Sequence, residues 1–136
     1  MNISLSIGHC YLELGNYKEA IKNYYKVEFL DEKSTRAWRP LAWSLLLSGD
    51  YEQSQKYYDK IIAENPIAED YLNIGHLALA KNDMQSVIQN YKKYVTNNDI
   101  NTLIKALKQD EKYLVELGID ISLLPFVIDA LLYSID

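Results

Sequence analysis

The stretch Gly15-Asn16-Tyr17, followed by Tyr24-Tyr25-Lys26, returns thirty-four residues later as Gly49-Asp50-Tyr51, followed by Tyr57-Tyr58-Asp59-Lys60. A weaker third copy runs Asn82-Asp83-Met84 and then Tyr91-Lys92-Lys93. Self-similarity at this period means short supersecondary units, none of which can bury its apolar face without a neighbour. The repeat therefore restricts the fold to a stacked array and makes a binding scaffold the default expectation.

Each copy reads as two helices. In the first, Ile7, Tyr11 and Leu14 mark a helix that stops at Gly15, a residue suited to a left-handed helix end. Asn16 is a good N-cap for the next, which carries Tyr17, Ala20, Ile21, Tyr24 and Val27 at helical spacing. The second copy repeats this with Trp38, Leu41, Leu45 and Gly49, then Asp50, Tyr51, Ser54, Tyr58 and Ile61. The third offers Tyr71, Ile74 and Ala78, then Asn82-Asp83, Val87, Tyr91 and Tyr94. Small residues fall where two helices must cross closely: Gly8, Ala42 and Gly75 in one slot, Ala20 and Ser54 in the other. Pro40 is expected on the second turn of its helix, where it deletes a backbone hydrogen bond, unless the helix starts late.

After Val95 the run Thr96-Asn97-Asn98-Asp99 breaks the pattern and caps a helix through Ile100, Leu103, Leu107 and Leu114, which ends at Gly118. A last helix carries Ile121, Leu124, Val127, Ile128, Leu131, Leu132 and Ile135, with Pro125 near its first turn. This pair lacks the repeat's marker residues and reads as a diverged hairpin capping the stack.

These residues resemble the tetratricopeptide repeat (TPR) family: Gly8, Tyr11, Gly15, Tyr17, Ala20 and Tyr24; Trp38, Leu41, Gly49, Tyr51, Tyr58 and Pro66; and Tyr71, Ile74, Gly75, Asp83 and Tyr91. The resemblance covers roughly residues 1–95, about 70% of the chain at that family's repeat length. Ser4 replaces the opening aromatic, and Asp31-Glu32 lacks the closing proline. The resemblance implies an all-α, right-handed helical-hairpin solenoid. Its single domain would hold three repeats (1–34, 35–67 and 68–98) and a C-terminal hairpin cap (99–136). Repeat sequence begins almost at the first residue, as it would in a piece of a longer array.

In such arrays the first helix of each repeat lines a concave groove that takes peptides. Transferred here, the resemblance assigns the groove to Asn2, Leu5, His9, Leu12, Glu13, Arg36, Arg39, Trp43, Leu46, Leu47, Glu69, Leu72, Asn73, His76, Leu79 and Ala80. Spacing by three and four puts these residues on one stripe of each helix independently of the family. The stripe is unusually apolar for a surface, and a bare patch of that kind is rare on a soluble monomer. A partner protein or peptide, a second subunit forming a homodimer, or the chain's own C-terminal helix would cover it. Arg36, Arg39, His9 and His76 give it a positive tinge that suits an acidic-hydrophobic ligand, with Trp43 and Arg39 as hot-spot types. The chaperone-tail binders of the family clamp a terminal carboxylate with a basic-amide set. Leu5, His9, Pro40, Glu69 and Asn73 stand at those positions here, so that role is rejected.

Composition narrows the rest. Apolar residues make up 49% and charged residues 24%, and the net charge of −5 is interleaved. No basic stripe exists to displace counterions from a nucleic acid, so that partner is excluded. No apolar run reaches the ~20 residues of a membrane span, and no secretory signal is visible, which favours the cytoplasm. Twelve tyrosines against two phenylalanines read as packing aromatics with hydroxyls at helix surfaces. His9 and His76 sit two repeats apart; at 8–10 Å per helix spacing that is something like 20 Å, too far for one metal. Cys10 reads as a buried small apolar residue. Asp31-Glu32 and Asp110-Glu111 read as solvated pairs with no desolvated cleft for acid–base work. No enzyme, metal site or cofactor is expected.

Overall fold

The local chemistry of each turn is the same, and it sets the fold. The computed structural model describes residues 3–134; Asn2 and Ile135, named above, lie outside them. Asn16, Asp50 and Asp83 each turn a side-chain oxygen back to the backbone N–H three residues on, at 3.3, 3.2 and 3.2 Å. The same three residues donate their own N–H to Tyr11, Leu45 and Ala78 carbonyls, each at 2.9 Å. One residue thus closes the preceding helix in a Schellman-type bond and opens the next. The reversal requires a left-handed residue just before it. Gly15 and Gly49 supply φ +77° and +91°, and Asn82 does the same at φ 57° in the third copy, as asparagine can where most residues cannot.

The helices that result fall into two compact units, residues 1–65 and 66–136. The first contains α1 (Ile3–Glu13), α2 (Tyr17–Leu30), α3 (Trp38–Ser48) and α4 (Tyr51–Glu64). Here α1 packs on α2, α2 on α3 and α3 on α4. Its core holds Ala20, Tyr24, Val27, Leu41, Ala42, Leu45, Tyr58 and Ile61. The small-residue slots serve close crossings: a Cβ on Gly8 would lie 2.6 Å from the Tyr24 ring. Ser54 donates its hydroxyl proton to the Ala42 carbonyl at 2.8 Å across the α3–α4 crossing.

The second unit contains α5 (Ala68–Ala80), α6 (Met84–Thr96), α7 (Ile100–Glu116), a 3-10 turn at Ile121–Leu123 and α8 (Leu124–Ser134). There α5 packs on α6, and α6 also receives α7 and α8. Leu72, Leu79, Val87, Tyr91, Leu103, Leu107, Leu114, Val127 and Leu131 form one core cluster. Burying each of these side chains contributes on the order of 1.5–3 kcal/mol. Asp99 caps α7 through the Thr102 N–H at 2.8 Å. That bond and its companion from the Thr102 hydroxyl hold the Asp99 carboxyl below its ordinary range.

For Pro40 the late start holds, and two expectations change. Helix α3 starts at Trp38, so Pro40 lies in its first turn, where the missing N–H has no intrahelical partner to lose. Cys10 is exposed, because α1 packs against α2 through Gly8 and leaves its other faces open. Tyr24, Tyr58 and Tyr91 are fully buried instead of reaching the helix surface. The chain is all-α, with no strand among the described residues.

Candidate functional site

The two histidines occupy equivalent positions and make equivalent bonds. His9 Nδ1 lies 2.7 Å from the Tyr24 hydroxyl, and His76 Nδ1 lies 2.7 Å from the Tyr91 hydroxyl. The ring pairs are also alike, with centroids 5.5 and 5.8 Å apart. Their surroundings differ. His9 is exposed, whereas His76 is fully buried and its Nε2 meets Asp110 of α7 at 2.9 Å. The carboxylate can only accept, so Nε2 carries a proton, and in the neutral imidazole the Tyr91 hydroxyl donates to Nδ1. Burial, and after it the Asp110 charge, pushes the Tyr91 phenol well above its ordinary range.

The stripe assigned from the sequence therefore divides. On α1, Leu5 and Leu12 are half-buried and His9 is exposed; Arg36, in the turn before α3, and Arg39 on α3 are exposed, and Trp43 and Leu47 of α3 are half-buried. Leu46 is fully buried and presents nothing to a partner. On α5, Leu72, His76 and Leu79 are buried as well, and only Asn73 is half-open. The physical reason is that α7 and α8 complete the core over this helix: Leu72 and Leu79 join Leu103, Leu107, Val127 and Leu131. Arg39 is already employed, donating to the Asn65 carbonyl at 2.9 Å at the end of α4, where a cation meets the negative pole of the helix.

Asp110 is the residue that sequence reasoning missed. Its place in the polar Asp110-Glu111 pair reads as a solvated face, yet it is half-buried and holds the third repeat's histidine. No periodic signal could have found it, because the helix that carries it has lost the repeat's markers. A shallow apolar cleft on the second unit, about 340 Å³, is lined by Ile104, Leu107, Leu124, Pro125 and Ile128 with Lys108 at its edge. Among the described residues no cluster of three or more His, Cys, Asp or Glu side chains could hold a metal ion.

Helix pairs closed by the same cap, crossed at the same small residues and joined by short turns define an all-α helical-hairpin repeat protein. Residues 3–33 and residues 41–66 each match the tetratricopeptide repeat, and the chain carries tetratricopeptide repeats in those two segments. Repeats of this family generally mediate protein–protein interaction and generally serve as scaffolds without catalysis. No curated protein gives a significant match to the chain. Among the described residues no helix is long and apolar enough to cross a membrane.

Proposed function

We propose that the protein is a non-enzymatic interaction scaffold whose peptide-binding surface is the part of the stripe carried by α1 and α3. The observation that supports this reading is the contrast between equivalent helices. The chain's own C-terminal pair completes the core over Leu72 and Leu79, while Leu5, Leu12, Trp43 and Leu47 keep part of their apolar surface in solvent. A half-open tryptophan, Trp43, and an exposed arginine, Arg36, are residue types enriched at interaction hot spots. The ligand that suits it is an acidic-hydrophobic segment. Nucleic acid is disfavoured by the net charge of −5.

A peptide-display selection against the full chain tests this. Selected peptides should combine acidic and apolar residues and bind Trp43→Ala about 2 kcal/mol or more weakly, with the melting temperature little changed. Selected peptides that bind Trp43→Ala as well as the parent would refute the assignment.

A second reading rests on a different observation. Phe126, Ala130 and Tyr133 follow one another at spacings of four and three on α8, and Phe126 and Tyr133 are 71% and 89% exposed. An apolar stripe of that kind favours a second subunit. A dimeric mass in sedimentation that Phe126→Glu abolishes would establish self-assembly through this face.

A further inference from the structure

The first unit carries a second constellation, on α2 and α4. Tyr25, Glu28 and Phe29 recur at spacings of three and four and so share one face of α2, with Glu32 just beyond the helix end. With Tyr57 of α4 they line an open cleft of about 520 Å³, within the range of ligand pockets generally. Tyr25 and Tyr57 meet edge-on, with ring centroids 6.1 Å apart and planes at 61°. Phe29 stands on this face 84% exposed.

The electrostatics are those of a cation receptor. Lys60 Nζ lies 4.7 Å from the Tyr57 ring centroid, 5.7 Å from that of Trp38 and 3.9 Å from Glu28 Oε1. An ammonium between aromatic faces and a carboxylate is a favourable arrangement, and here the chain supplies one itself. It leaves the carboxylate half-served. Glu28 Oε2 is buried without a hydrogen-bond partner among the described residues, and a buried acceptor in that state is costly. Glu32, just past the end of α2, adds a second negative charge to the lining of the cleft. Burial, then the charges of Asp50 and Glu28, raises the Tyr25 phenol above its ordinary value. Burial, then a hydrogen bond to Glu28, does the same to Tyr57. Glu28 and Glu32 outnumber Lys60, so the groups around the cleft carry a net negative charge.

Two carboxylates beside phenol rings are too few hard ligands for a calcium-type ion, which takes six or more oxygens. Aromatic walls favour a weakly hydrated organic cation instead. A guanidinium fits best, because its flat face stacks on rings while its edge offers paired N–H donors to a carboxylate.

We propose that this cleft docks an arginine side chain presented by a basic segment of a partner protein, the guanidinium donating to Glu28 and Glu32 between Tyr25, Phe29 and Tyr57. The site uses different residues from the α1 and α3 surface and selects the opposite ligand charge. The two can therefore fail separately.

The test follows the aromatic NMR signals of the full chain as a capped pentapeptide, one arginine among glycines, is titrated in. Saturable shifts should appear at Tyr25, Phe29 and Tyr57, weaken as salt is added, and diminish when lysine replaces the arginine. They should vanish with glutamine, which keeps polarity without charge. Glu28→Gln should weaken binding about tenfold, as removal of a charge-assisted bond does. Glu32→Gln, at an exposed position, should weaken it by a smaller factor and keeps the test decisive if Glu28→Gln perturbs the fold. Trp43→Ala should leave arginine binding unchanged. Equal shifts with the arginine and glutamine peptides, shifts centred on Trp43, no saturable shift, or indifference to both glutamate variants would each overturn the proposal.

Discussion

The imidazole of His76 and the carboxylate of Asp110 meet at 2.9 Å, joining α5 to α7 across thirty-four residues of sequence. Because Nδ1 of the same ring is taken by Tyr91, three helices of the second unit share one polar chain, buried at Tyr91 and His76 and half-buried at Asp110. Such a chain orients its members uniquely when it is complete. Asp110→Ala removes the acceptor from a fully buried N–H and should cost about 1–3 kcal/mol in urea unfolding. Asp110→Asn keeps an acceptor oxygen and should cost less. Equal stability of the alanine variant and the parent would show that the pair contributes nothing.

Gly75 meets Tyr91 so closely that a Cβ there would overlap the ring. Gly75→Leu should therefore overpack the α5–α6 crossing by on the order of 1–3 kcal/mol, outweighing the helix propensity gained. A melting temperature at the parent value would mean that the crossing yields without strain.

Val127 and Leu131 of α8 are buried in the core that contains Leu72 and Leu79. Removing residues 119–136 strips both from that core and should cause aggregation or a large drop in melting temperature, since each lost buried side chain costs about 2–5 kcal/mol. A truncated chain as soluble and stable as the parent would make the segment dispensable.

Tyr24 is fully buried, and burial, aided by the charges of Cys10 and Glu13, pushes its phenol up to about 12. The unfolded chain loses that proton near the ordinary value of 10.0, while the folded chain keeps it. The stabilisation is thus complete below pH 10 and falls as pH rises from about 10 to about 12. Phenolate absorbance should show the exposed tyrosines ionising first and Tyr24 only at higher pH or on unfolding. A single titration near 10 in the folded state would contradict this.

Local signals made most of the fold legible. Asn16, Asp50 and Asp83 cap their helices as side-chain chemistry dictates, and Gly15 and Gly49 take the left-handed turn that few other residues tolerate. Gly8 and Gly75 sit beneath tyrosine rings as the repeat spacing requires. These features depend on neighbours within a turn or a single hairpin, so residue order alone determines them.

Exposure was another matter. Leu5 and Leu72 look alike in sequence, each an apolar residue on the first helix of a repeat, yet one stays half-open and the other is covered by the core that α7 and α8 complete. His9 and His76 make the same tyrosine bond, and only the arrival of Asp110 buries and ties down the second. Periodicity identifies which face of a helix is apolar. Which distant segment comes to rest on that face depends on packing between residues far apart in the chain, and tertiary structure alone decided that.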